Sequence, residues 1–141
     1  MHEIEYGLVC RQEDEKKLVK NVNAFLAAKG FRKMYKWKDK GGIRNPEDPE
    51  NNPQFAYTYV QFLKTPPRWY FDLCPNVDLR GIPRFPNNLD CGWTLYFSKT
   101  HHELNSADDD KHLDEFLLEL LVGAGFSYVL LHTYADGEYR K

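Results

Sequence analysis

Two segments of the chain share one pattern, in which an apolar helical face is followed by a glycine and then by an aromatic-rich strand. In the later segment apolar residues recur at spacings of three and four, which predicts an amphipathic helix over residues 106–125 that ends at Gly125. The apolar positions are Leu113, Phe116, Leu117, Leu120, Leu121 and Ala124. The run from Tyr128 to Leu131 is apolar on both faces, which predicts a central strand.

The earlier segment repeats this design ninety-five positions upstream, since Gly30 stands where Gly125 stands later. Its helical face consists of Leu18, Val22, Phe25 and Leu26, and a strand follows from Phe31 to Trp37. Asp14 or Glu13 is the predicted cap of this first helix. Alternating apolar residues over 4–10 predict a strand before it.

The middle of the chain is predicted to be rich in strands. Residues 55–63 and 69–73 are read as the two arms of a hairpin, and residues 93–97 as a further strand. Residues 45–53 contain no apolar side chain and predict a surface loop. Residues 74–92 form a long proline-containing connection, and connections of this length are often functional in compact domains.

This order of elements predicts a single α+β domain over residues 1–141. The expected architecture is a mostly antiparallel sheet of five to six strands with two helices packed on one face. In its most specific form it consists of ferredoxin-like βαβ units with an inserted hairpin, and the pattern leaves the strand order open.

Composition indicates where in the cell the protein is expected and what its surface contains. The chain has no apolar run near the roughly 20 residues of a membrane span, and residues 1–5 do not resemble a secretory signal. Three cysteines without CxxC spacing are typical of a reduced protein, so a cytoplasmic location is expected. The net charge is −2, and nine Tyr, nine Phe and three Trp predict some aromatic side chains at the surface.

The strongest charge feature is the acidic run at the start of the second predicted helix. Residues 103–119 contain seven acids and one lysine. Capping accounts for part of this, because Ser106 and Asp109 have the spacing of a capping box and acids suit a helix N-terminus. The remaining acids suggest a surface that docks on a basic protein partner. The candidate partner-binding residues are Asp108, Asp109, Asp110, Asp114 and Glu115, with Arg84 and Phe85 on the long connection as a second choice.

Motifs for catalysis, metal binding or cofactor binding are not recognised. His101, His102 and His112 match no zinc or calcium spacing. The cysteines lack a signature of nucleophilic catalysis, and the Gly-Ala-Gly sequence at 123–125 ends a helix, whereas phosphates bind where helices begin. We therefore expect a protein without a cofactor or metal that is not an enzyme.

A basic run over residues 29–44 interleaves with aromatics, as in proteins that bind single-stranded nucleic acids. The alternation of residues directs Tyr35 and Trp37 toward the core, and the pI of about 6.2 is low for such a protein. Nucleic-acid binding through this strand is therefore ranked third.

The favoured hypothesis is a cytoplasmic, non-catalytic protein-binding module. Its most concrete form is an immunity-type inhibitor that covers the active site of a basic, bacterial toxin-like protein or nuclease. The alternative is a small-ligand binder or enzyme that uses a cleft under the 74–92 connection, with Arg80, Arg84 and His132 as convergent polar groups. A homodimer through outward-facing aromatics is a further hypothesis, with Tyr57, Tyr59, Trp69 and Tyr70 as its candidate residues.

Overall fold

The computed structural model describes residues 2–37, 58–65, 67–78, 81–99 and 107–135. Within these ranges the chain forms two helices, one 3-10 turn and six strands. The helices are α1 (Glu15–Ala28) and α2 (Ala107–Gly123), and the 3-10 turn spans Gln12–Asp14. The strands are β1 (His2–Leu8), β2 (Tyr35–Trp37), β3 (Thr58–Leu63), β4 (Trp69–Pro75), β5 (Trp93–Lys99) and β6 (Tyr128–Ala135).

The six strands form one antiparallel sheet in the order β2-β3-β4-β5-β1-β6. β3 and β4 are the predicted hairpin, in which Leu63 pairs with Trp69. The first strand lies inside the sheet, because β1 pairs with both β5 and β6. The predicted α+β class, antiparallel sheet and two-helix layer are confirmed, and the ferredoxin-like description stays a prediction.

The predicted helical faces form the core together with alternate residues of the central strands. Leu18, Val22 and Leu26 of α1 are fully buried, as are Leu120 and Leu121 of α2. The helices pack against one sheet face, whose buried residues are Leu8, Trp69, Phe71, Leu73, Trp93, Leu95 and Phe97. The opposite face of the sheet is called the far face below. Within the described part of the chain, no helix has the length and apolar character needed to cross a membrane.

Both helices end where the sequence predicts, at glycines with a left-handed backbone. Gly30 has a φ of 84° and Gly125 a φ of 83°, which only glycine adopts without strain. Asp14 occupies the predicted N-cap position of α1, but its carboxylate makes no cap hydrogen bond to that helix. It accepts the backbone N–H of Arg11 at 2.8 Å and closes the preceding 3-10 turn. The predicted cap Ser106 and the predicted loop over 45–53 lie outside the described residues.

The prediction that the apolar run of β6 is a central strand is wrong. β6 lies at one edge of the sheet, paired with β1 alone among the described strands. Tyr128, Val129 and Leu130 are therefore exposed although the pattern suggests burial on both sides. Hydrophobic periodicity reports which faces are apolar, and it does not report the position of a strand in the sheet.

The predicted inward orientation of Tyr35 and Trp37 is also wrong. Their strand, β2, is the other edge of the sheet, and its register pairs Tyr35 with Val60. Val60 lies on the far face, since its neighbour Tyr59 points to the helices and donates a hydrogen bond to Glu15. Tyr35 and Trp37 consequently lie on the far face with 47% and 44% of their surface exposed.

The aromatics proposed for a dimer do not share one outer surface. Trp69 is buried in the core against Phe71, and Tyr59 points toward α1. Tyr70 lies on the far face, and Tyr57 is outside the described residues. The three described residues, Tyr59, Trp69 and Tyr70, therefore do not share one surface.

Candidate functional site

A row of polar side chains crosses the far face of the sheet. The strand register places Asp72 of β4 beside Tyr96 of β5, then Glu5 of β1, then His132 of β6. These residues alternate with positions that point to the helices, which directs all four to the far face. These residues are up to 127 positions apart in the sequence, so a local motif could not predict that they form a row.

Glu5 is the centre of this row. Its side chain is nearly buried, with the residue 4% exposed, and its two carboxylate oxygens contact two cationic or potentially cationic groups. Nη2 of Arg84 lies 3.1 Å from Oε2, and Nε2 of His132 lies 3.1 Å from Oε1. Arg84 also donates from Nη1 to the Thr94 hydroxyl at 2.9 Å. A buried carboxylate is costly without such partners, so this arrangement ties the 76–92 loop to the sheet.

The side chain of Asn76 makes two hydrogen bonds to the backbone of the 76–92 loop. Its side-chain carbonyl accepts the backbone N–H of Phe85 at 2.9 Å, and its amide donates to the backbone carbonyl of Asn88 at 3.2 Å. The Phe85 ring packs 5.8 Å from the imidazole of His132. The described part of this loop therefore packs on the far face, where Arg84 contacts Glu5.

A second polar group on the same face surrounds Asp72. The Tyr70 hydroxyl and the Cys74 thiol both donate to its carboxylate, at 2.8 Å and 3.0 Å. Burial raises the pKa of Cys74 well above its usual value, and the negative charge of Asp72 adds to this effect. Burial likewise raises the pKa of Tyr70. The thiol is therefore held protonated, which is unfavourable for a nucleophile.

An open cleft of about 710 Å³ lies between the segment around Arg11 and the 76–92 loop. Its lining includes Cys10, whose pKa burial raises to about 11. Arg84 and His132 meet as the sequence suggests, but they meet on Glu5 and do not line this cleft. The third predicted group, Arg80, lies outside the described residues. The cleft and the convergent polar groups are thus separate features.

The predicted acidic surface lies on α2, on the helix side of the sheet. Asp108 and Glu115 are exposed, and Asp109 is half-buried. Asp114 is largely exposed, with Oδ1 3.2 Å from Nζ of Lys99. The side chain of Asp110 is outside the described part of the chain. Asp108 and Glu115, seven residues apart, share one face of this helix, whereas Asp114 lies beside Lys99 of β5.

The second-choice residues, Arg84 and Phe85, do not belong to that surface. Arg84 bonds to Glu5 and Thr94, whose side chains lie on the far face, and Phe85 packs on His132 there. The six-stranded sheet separates them from α2. A single flat contact therefore cannot include both sets of predicted residues.

Two apolar residues of α2 were missed by the sequence analysis. Leu118 is 51% exposed and Val122 is 70% exposed, because both fall off the predicted apolar face. Together with Asp108, Lys111 and Glu115 they are spaced at three, four, three and four residues, so they follow one outward stripe of the helix. We call this stripe of five residues the outer face of α2. The run Leu-Leu-Glu-Leu-Leu-Val at 117–122 has more apolar residues than one helix face needs, and that excess was the available signal.

Among the described residues, no group of three His, Cys, Asp or Glu side chains is close enough to hold a metal ion. No protein-family model matches the chain, and no curated protein matches it significantly.

Proposed function

We propose that this protein is a non-catalytic protein-binding module that inhibits a basic toxin-like protein or nuclease by covering its active site. The observation that carries the proposal is the outer face of α2, where exposed Leu118 and Val122 continue the stripe that begins with Asp108, Lys111 and Glu115. Apolar anchors beside polar, charged surroundings are the usual composition of a protein interface.

The two parts of this face have different expected roles. Residues 107–123 carry six acids and one lysine, so the helix attracts a basic partner over several ångströms and accelerates association. Leu118 and Val122 give up exposed apolar surface on contact, and they are expected to slow dissociation. Substitutions of the acids should therefore change mainly the association rate, and substitutions of the apolar residues mainly the dissociation rate.

The polar groups of the far face favour a structural over a catalytic role. Glu5, Arg84 and His132 satisfy one another, and the Cys74 thiol is held protonated by its surroundings. The three cysteines carry free thiols, which accords with the proposed cytoplasmic location. A module of this kind requires only a stable scaffold and an exposed face.

The test is affinity capture from a lysate of the source cells with three tagged proteins. These are the wild type, the outer-face variant Asp108→Asn/Glu115→Gln and the control Glu13→Gln/Asp90→Asn. Both variants remove two exposed acids, so they change the net charge equally. We expect the wild type and the control to retain one stoichiometric basic protein in low salt, and the outer-face variant to lose most of it.

The captured protein is then assayed for its own toxic or nuclease activity with and without the purified inhibitor. Inhibition at a one-to-one ratio supports the proposal. Equal capture by both variants, or capture without inhibition, contradicts it. Substituting Leu118 by Ser should raise the dissociation rate with little change in association rate, whereas the acid substitutions should do the reverse.

Nucleic-acid binding is a second candidate, which the exposure of Tyr35 and Trp37 favours. Exposed rings on a sheet face stack on unpaired bases. Its weakness is that Lys29 pairs with Glu119 at 2.6 Å and that Lys36 points toward Tyr59 on the helix side. Retention on a polyanion column in low salt, lost in Trp37→Ala, would support this candidate. Elution in the void volume would exclude it.

A further inference from the structure

The composition of β6 conflicts with its position. Its sequence, Tyr-Val-Leu-Leu-His-Thr-Tyr-Ala, begins with four apolar residues that face both sides of the sheet. Such a pattern is typical of a strand with neighbours on both sides. In this chain β6 has β1 on one side and no described strand on the other, and Leu130 is 50% exposed.

The two edges of the sheet differ in protection. β2 has only three residues and carries Lys36, and short charged edges resist pairing with other chains. β6 has eight residues, with no Lys, Arg, Asp, Glu or Pro among them. A long uncharged edge strand is a template for a further strand. A β-bulge limits the length over which a further strand could pair with β6. The register shifts after Leu130 and leaves Leu131 as an extra residue in β6.

We propose that a second copy of this chain pairs with β6, in an antiparallel register centred on Val129. This register uses the regular part of the strand before the bulge. Val129 then lies opposite Val129 of the second copy on the far face, since Val129 pairs with Gly7 within its own chain. Tyr128 lies opposite Leu130 of the second copy on the helix side. Aromatic and aliphatic cross-strand pairs of this kind stabilise sheets.

A second copy fits this edge for two reasons. An antiparallel pair of identical strands is self-complementary about a two-fold axis, so one patch serves both partners. The paired segments carry no charge, so no like-charge repulsion arises between the two strands. In the dimer β6 becomes an inner strand with apolar neighbours on both sides, as its composition predicts.

The dimer is expected to depend on concentration. Pairing of one short strand segment buries less than about 1,200 Å², which is at the small end of specific interfaces. The surface is distinct from the outer face of α2, so dimerisation and the proposed inhibitor function can be tested separately.

The first experiment is sedimentation velocity of the purified full chain over a range of concentrations. It compares the wild type with Leu130→Lys and with the matched control Leu118→Lys, whose native side chains are equally exposed at 50% and 51%. We expect the wild type and L118K to reach the dimer mass at high concentration, and L130K to stay monomeric. Circular dichroism confirms that all three are folded.

The second experiment places a cysteine on the proposed two-fold axis. Directly opposed residues have Cβ atoms about 4.5–5.5 Å apart, close to disulfide range. Under mild oxidation Val129→Cys should form a covalent dimer at least tenfold faster than Leu89→Cys, an exposed loop control. A monomeric wild type at high concentration, a dimer abolished by L118K alone, or equal cross-linking of the two cysteine variants would each overturn the proposal.

Discussion

Replacing Arg84 by Met tests whether the 76–92 loop is fastened to the sheet through Glu5. The substitution retains an unbranched apolar side chain but removes the guanidinium that contacts Glu5 and Thr94. The Glu5 carboxylate stays nearly buried, and it keeps its contact with Nε2 of His132 at 3.1 Å. The loss of stability in this variant therefore reports mainly the lost contacts of the guanidinium, because most of the apolar side chain is retained.

The expected loss follows from burial and from the remaining partner. Removing one member of a buried ion pair costs about 3–5 kcal/mol, because the other charge is left without compensation. Here the Arg84 side chain is 21% exposed and His132 stays beside Glu5, which lowers the cost. We expect the free energy of unfolding to fall by about 2–3 kcal/mol.

The assay is urea unfolding at pH 7, followed by circular dichroism and tryptophan fluorescence. The variants are R84M, Glu5→Gln, the double variant and the control Arg68→Met, which removes an exposed arginine. The double-mutant cycle should give a coupling of at least about 1 kcal/mol, and R68M should change stability by less than about 0.5 kcal/mol. Additive single effects, or an R84M loss no larger than that of R68M, would refute the fastening role of Arg84.

The remaining predictions concern helix ends and thiols. Gly30→Ala should cost about 1–2 kcal/mol through its left-handed backbone alone, whereas Gly125→Ala should cost more, because its Cβ would lie 2.6 Å from the Asn21 amide; chemical denaturation of both compares them. Alkylation of Cys10 at pH 8 should be slower in the folded than in the unfolded protein, since burial raises its pKa to about 11. Folding raises the pKa of both Cys10 and Cys74, so the folded state binds their thiol protons more tightly than the unfolded state does. The free energy of unfolding should therefore fall as the pH rises past 9, and thermal melts from pH 8 to 11 measure this.

Local pattern was sufficient for the helices of this fold. The spacing of Leu113, Leu117 and Leu120 identified the buried side of α2, and Gly30 and Gly125 marked the helix ends. These features depend on residues within one or two turns of each other, so the sequence states them directly.

The site depended on distant pairing and could not be predicted in the same way. Glu5 meets Arg84 from 79 positions away and His132 from 127 positions away, and only the strand order brings them together. The orientation of Trp37 was wrong for the same reason, because the side of a sheet that is buried depends on where the helices pack. The exposed Leu118 was visible as excess hydrophobicity, but its significance required the helix orientation.

The position of β1 inside the sheet has a consequence for synthesis on the ribosome. Leu8 pairs with Trp93, 85 positions later, and with Tyr128, 120 positions later. β1 can therefore pair with β5 and β6 only after those residues have been synthesised. Pairings of such high contact order are slow to form, since a long loop must close first. During translation β1 is therefore an unpaired segment, and we expect holdase chaperones to bind it until β6 has left the exit tunnel.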